Sequence, residues 1–180
     1  MSSIVVSGDT SGSITLAVPA VAGTNTVTIA AQTGTLNAAG PAFSAYLSSN
    51  QSMSSGATVK VLCNTEEFDT NSNYDNSTNY RFTPTIAGYY QVNARLDNGA
   101  STSPSQCSAT IYKNGSAFKK GVDFGLTSAQ FGEGASVSCL IYCNGSTDYL
   151  EFYASITAVT AVINSGVSTT YFQAVLVRGA

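Results

Sequence analysis

Tyr80-Arg-Phe-Thr-Pro-Thr-Ile-Ala-Gly-Tyr-Tyr-Gln-Val-Asn-Ala-Arg-Leu96 reads as a short strand, a turn and a long strand. The turn runs from Pro84 to Gly88, where the glycine permits a tight backbone. Beyond it Tyr90, Val92, Ala94 and Leu96 recur at every second position. Strand side chains alternate between faces, so these four line one side of a core strand. The same texture continues on both sides. Short alternating or apolar runs fall at 43–47, 58–63, 80–82, 88–96, 107–113, 116–120, 135–143, 149–156 and 170–178, separated by turn residues about every ten positions. Helical periodicity is nearly absent, which predicts an all-β sandwich or barrel.

Asn114-Gly115 and Asn144-Gly145 fall between strand runs and are read as hairpin turns, since Asn and Gly tolerate positive φ. Both also match glycosylation sequons, but turn chemistry explains them. Asn98-Gly99 opens a longer loop through Pro104. The segments 51–56, 71–79 and 98–106 are rich in Ser, Asn and Thr and are expected as exposed loops. They suit adaptable hydrogen bonding to a glycan but lack a Trp platform.

The chain has 180 residues, of which 43% are hydrophobic, 10% aromatic and only 9% charged, enough to bury a real core. A net charge of -3 with singly scattered cations leaves no basic footprint, so nucleic acid is not an expected partner. There is no His, which removes Ser-His-Asp and Cys-His pairs, His-containing zinc sites and imidazole proton shuttles. Residues 1–9 have neither a basic nor an apolar region of a signal peptide, and no window approaches 18 apolar residues. The expectation is a protein neither exported by a cleaved signal nor spanning a membrane.

Cys63, Cys107, Cys139 and Cys143 form no C-x-x-C pair, so a zinc site is not expected. Cys139 and Cys143 sit four residues apart on a strand, about 13 Å, beyond disulfide reach. All four are read as reduced, small, buried hydrophobes. Glu66-Glu67-Phe68-Asp69, with Asp75 behind, is the one acidic cluster. Its spacing specifies neither a glycosidase pair nor a calcium loop, and it reads as a solvated loop. Gly125, Gly132 and Gly134 lack the G-K-[ST] of a phosphate loop and read as loop positions. No enzyme mechanism emerges.

Residues 1–40 differ from the rest, built almost wholly of Ser, Thr, Gly, Ala and Val with a single charge and no aromatic. Ile14, Leu16 and Val18, then Val27 and Ile29, alternate with small residues, predicting two short strands and a turn. Strands without large anchors suit an extended arm completed by a partner surface, and these five side chains are the attachment candidates.

Phe43-Ser-Ala45, Phe68, Tyr74-Asp75, Thr78, Tyr80-Arg-Phe-Thr-Pro84, Ala87-Gly-Tyr-Tyr90, Ile111-Tyr-Lys-Asn-Gly115, Tyr149-Leu150, Phe152 and Tyr171-Phe-Gln-Ala-Val-Leu-Val-Arg178 follow one another in an order and spacing that resembles the globular head of C1q, of the C1q and tumour-necrosis-factor fold family. The likeness covers residues 41–180, with Phe82, Phe152 and Phe172 supplying the large core volumes. It implies a ten-stranded jelly-roll β-sandwich assembled as a homotrimer, with Tyr89, Tyr153 and Tyr171 as candidates for the three-fold axis. Calcium is the one cofactor it leaves open, without choosing ligands. No Gly-X-Y stalk is present.

Ser11-Gly-Ser-Ile-Thr-Leu-Ala-Val-Pro through Ile29 is similar to leaders of bacteriophage tail-fibre and virion-surface proteins. Together the two resemblances imply a virion structural protein made in the host cytoplasm and carried on the particle surface. With 40 residues before the head and no shaft, the expected role is a trimeric capsid decoration, or cement, protein whose partner is the major capsid protein. The alternative is a tail-fibre or tail-tip receptor-binding protein, seated on a tail component, that recognises a host surface polysaccharide.

Overall fold

A computed structural model of the chain describes residues 3–7, 13–17, 40–99, 104–124 and 134–180. The chain divides into two compact units, Met1–Gly34 and Thr35–Ala180. In the first, β1 (Ser3–Ser7) and β2 (Ser13–Ala17) form an antiparallel hairpin in which Ile4 faces Leu16 and Val6 faces Ile14 across the ladder. β1 was not foreseen. Ile14 and Leu16 lie on β2, whereas Val18, Val27 and Ile29 lie outside the described residues.

The larger unit is all-β. Along the chain come β3 (Ala42–Tyr46), β4 (Gln51–Met53), β5 (Thr58–Lys60), β6 (Thr65–Asp69), β7 (Tyr74–Asp75), β8 (Arg81–Phe82) and β9 (Gly88–Asn98). They are followed by β10 (Gln106–Lys113), β11 (Ser116–Phe124), β12 (Gly134–Cys143), β13 (Leu150–Thr157), β14 (Ala161–Asn164) and β15 (Tyr171–Gly179). One sheet has seven strands in the order β4-β14-β9-β15-β3-β6, with β12 also paired to β9. The other has six in the order β11-β10-β13-β8-β7, with β5 also on β13. The described strands exceed the ten implied by the resemblance because short pieces such as β4, β7 and β14 each form their own ladder.

The alternation that opened the reading holds: Tyr90, Val92, Ala94 and Leu96 are buried while Gln91, Asn93 and Arg95 face outward. Opposite them, Leu150, Phe152, Ala154 and Ile156 of β13 point inward from the six-stranded sheet. Phe43 is the hub of the aromatic core, 4.5 Å from Tyr74, 4.7 Å from Phe82 and 5.0 Å, edge-on, from Phe172. Phe82, Phe152 and Phe172 are fully buried, as expected. Offset and edge-to-face geometry satisfies the ring quadrupoles beyond the area buried. Gly88 is required by close approach, since a Cβ there would strike the Arg178 carbonyl of β15.

Several local expectations are corrected. Gln51–Met53 and Tyr74–Asp75, read as loop, are strands, and the acidic cluster lies on the edge strand β6. Short edge strands need only a backbone ladder and show no apolar alternation to read. β14 was also missed: it lies between β4 and β9 and turns Ala161 and Ile163 inward, but over only four residues. Asn114-Gly115 is a hairpin turn with φ of 53° and 76°, joining β10 to β11. Asn144-Gly145 is not one: β12 pairs with β9 and β13 with β10, so the turn carries the chain from one sheet to the other. Asn144 Oδ1 caps it by accepting from the backbone N–H groups of Ser146, Thr147 and Asp148 at 2.9–3.0 Å. Cys63, Cys107 and Cys143 are buried and in no disulfide, but Cys139 is only half-buried. Burial pushes the Cys63 thiol up to about 12.

Candidate self-association face

The outward side of the seven-stranded sheet is graded along its strands. At one end Tyr89, Leu140, Tyr142, Val175 and Val177 stand exposed, Leu140 at 54% and Val177 at 56%. Their convergence is a matter of register. Tyr142 pairs with Tyr89 across β12 and β9, and their rings lie 5.5 Å apart. Leu140 and Val175 flank Gln91 from the two neighbouring strands. Val177 is an extra residue in a bulge between Leu176 and Arg178, which brings it outward beside this cluster. A shallow pocket of about 510 Å³ opens here, lined by Tyr89, Leu140, Val177, Arg178 and the last two residues.

A polar band follows in the middle. Gln91 Nε2 donates to Asn93 Oδ1 at 3.2 Å and to Ser138 Oγ at 3.0 Å, and Ser138 Oγ donates to Asn93 Oδ1 at 2.9 Å. On the other flank Gln173 Nε2 donates to Ser44 Oγ at 2.9 Å, and Ser44 Oγ to Glu67 Oε2 at 2.6 Å. At the far end Arg95 meets Asp97 at 3.4 Å and donates to the Thr169 carbonyl at 2.8 Å. Asp97 also accepts from Asn164 Nδ2 at 2.9 Å. Uncovered apolar groups thus concentrate at one end, while polar groups on the same face satisfy one another.

The three tyrosines expected at a three-fold axis do not share a patch. Tyr89 lies in the apolar cluster. Tyr171 sits on the same sheet but opposite Arg95, at the charged end. Tyr153 projects from the other sheet, where its ring stacks on Tyr112 at 3.9 Å. Leu140, Tyr142, Val175 and Val177 were missed, although the apolar-on-both-faces runs 139–142 and 174–177 were a readable signal.

Several acidic side chains have structural partners. Asp69 accepts the backbone N–H of Tyr74 at 2.7 Å, and Glu151 pairs with Lys60 at 2.6 Å. Asp75 accepts from the backbone N–H groups of Thr78, Ser77 and Asn79, which hold its carboxyl well below the usual carboxylate range. The Asp148 carboxyl is raised by burial, but hydrogen bonds from Asn114, Lys113 and Asn144 outweigh this and lower it. Among the described residues, no three or more His, Cys, Asp or Glu side chains gather as metal ligands, and no helix is long and apolar enough to cross a membrane.

Two antiparallel sheets, strand order, aromatic core and chain coverage together define a tumour-necrosis-factor-like jelly roll, as the sequence resemblance implied. No protein-family model matches the chain, and no curated protein matches it in sequence. Solved structures do match in fold. Murine APRIL at pH 8.0 superposes with a TM-score of 0.59 at 7% identity, covering 76% of this chain and 98% of that one. Eiger TNF from S. frugiperda gives 0.53 at 11% identity, covering 78% and 92%. The PRD1 vertex protein P5 gives 0.53 at 19% identity, covering 74% and 92%.

Proposed function

We propose that the chain is a non-catalytic virion structural protein of a bacteriophage, a homotrimeric head standing on the capsid surface and held there by its N-terminal segment. The observation that carries this reading is the likeness of the head to the vertex protein P5 of the phage PRD1. The trimer is supported by the apolar end of the seven-stranded sheet, which exposes five large side chains in one cluster. Attachment through residues 1–40 is supported by the β1–β2 hairpin, because an isolated two-stranded ribbon is marginal in water and gains from a partner. Ile14, Leu16, Val18, Val27 and Ile29 are the proposed contacts with the major capsid protein. A non-catalytic role agrees with a chain lacking His, in which Glu67, Asp69 and Glu151 are engaged in structural contacts.

The test is the copy number of this chain in purified particles, measured by quantitative mass spectrometry against the major capsid protein, with the native mass of the full chain measured in parallel. Many copies per particle and a three-fold native mass are expected. A few copies confined to the tail would replace decoration with tail-tip receptor binding. Absence from particles would end the virion reading.

A further inference from the structure

The outward face of the six-stranded sheet has a different character. Between β11 and β5 it holds a groove of about 420 Å³. β10 and β13 run beneath it, so its walls stand three strand spacings apart, about 14 Å. The floor is low because its side chains are short. Ser108 and Ser155 are register partners on β10 and β13, and Thr58 continues the row on β5. Three hydroxyl-bearing residues thus stand in line over about 10 Å. Thr110 follows one row along β10. Beyond it Tyr112 ends the groove, its ring stacked on Tyr153 at 3.9 Å and 24° and its register partner on β11 the small Ala117.

Ser108 stands apart from the other floor residues. It is only 4% exposed, yet its hydroxyl makes no hydrogen bond among the described residues. No fully enclosed side-chain polar atom among those residues goes unbonded, so this hydroxyl opens on the groove that Ser108 lines. Buried hydroxyls nearly always have a partner, and one left open at the bottom of a groove is placed to take its partner from outside. Beside it, Ser155 Oγ donates to the Gly56 carbonyl at a long 3.4 Å and keeps its lone pairs to accept.

We infer that this groove binds an uncharged glycan segment, with Ser108, Ser155 and Thr110 hydrogen-bonding sugar hydroxyls and Tyr112 packing against a sugar face. Hydroxyl side chains both donate and accept, which matches a polyol, while an aromatic ring suits the apolar face of a sugar. A concave site with a few convergent polar groups and an aromatic wall is the ordinary form of a small-ligand site. An added peptide strand does not match it. The floor is the face of a sheet whose backbone groups are taken up in the β10–β13 and β13–β5 ladders, so it offers side chains and no free ladder edge. Nor does charge select an ionic ligand. The floor hydroxyls are neutral, and register sets Lys120 opposite Thr110 but Asp123 opposite Ser108, so β11 brings both signs alongside. The groove lies on the sheet opposite the proposed trimer face, and its chemistry is the same whether or not the head stands on a particle.

The full-length protein is titrated with maltohexaose, cellopentaose and mannohexaose as neutral probes and hexagalacturonate as the acidic one, following backbone amide shifts. At least one neutral probe is expected to bind with a Kd below about 10 mM, shifting the amides of Ser108, Thr110 and Ser155, with hexagalacturonate binding no more tightly. Ser108→Ala is expected to weaken that probe about three- to tenfold without lowering the thermal midpoint, because the hydroxyl it removes has no partner in the free protein. Thr110→Val, nearly isosteric, removes a second floor hydroxyl and weakens the same probe. The inference is overturned if no neutral probe binds with a Kd below about 10 mM, if the shifts map elsewhere, or if hexagalacturonate binds more tightly than every neutral probe. It is equally overturned if Ser108→Ala binds like the parent, or if that variant melts lower, which would reveal an internal partner for the hydroxyl.

Discussion

Leu140→Asp is the perturbation that most directly separates a trimer built on the seven-stranded sheet from every other arrangement. Leu140 retains 54% of its surface in the single chain, so about half of the 1.5–3 kcal/mol available from burying a leucine is still ungained. Covering it contributes about 1 kcal/mol per protomer and about 3–4 kcal/mol per trimer, a factor of about a hundred to a thousand in the assembly constant. Aspartate forfeits that gain and adds three carboxylates to an apolar contact, so the total loss is larger. The protomer itself is little affected, because the site is solvent-exposed on a strand already held by β9. Sedimentation velocity at about 1 µM is expected to show a trimer for the parent and a folded monomer for the variant, whose thermal midpoint falls only by the assembly free energy it forfeits. Val159→Asp, at an 88% exposed position in the β13–β14 turn, should remain trimeric. A Leu140→Asp chain that sediments as a trimer refutes the assignment of this face.

Other expectations concern the fold. Phe82→Ala empties the space between Phe43 at 4.7 Å and Tyr90 at 5.5 Å and should lower stability by about 3–5 kcal/mol in urea melts, a loss that Phe82→Leu largely restores. Asp75→Ala should cost about 1–2 kcal/mol at neutral pH through loss of the Thr78, Ser77 and Asn79 contacts. Since the folded carboxyl titrates below its unfolded counterpart, this contribution is complete above about pH 4 and shrinks as the pH falls further. Equal gaps between parent and variant at pH 7 and about pH 2.5 would contradict it. A thiol reagent at about pH 8 should leave Cys63 unmodified in the native protein, its thiol lying near 12, and should count four thiols once the chain is unfolded.

The core was legible because burial on one face writes itself into every second residue. Tyr90, Val92, Ala94 and Leu96 announced both the strand and its inward side, and Phe82, Phe152 and Phe172 announced the volume that side must fill. Edge strands carry no such record. β4 and β6 are stabilised by a ladder on one side, so Gln51-Ser-Met53 and Thr65-Glu-Glu-Phe-Asp69 look like loop. Asn144-Gly145 was recognised as a turn, but whether a turn joins neighbours or crosses between sheets depends on pairings made far along the chain.

From its sequence alone this protein is an all-β chain with one aromatic-rich core, a distinct small-residue N-terminal segment and no histidine chemistry, because periodicity and composition are local properties. Tertiary structure alone decided which outward side chains meet. Tyr89, Leu140, Tyr142, Val175 and Val177 come from three strands, and only register and the bulge at Val177 bring them together. Surface sites are made by long-range pairing, and a one-residue change of register would turn each of these side chains to the opposite face.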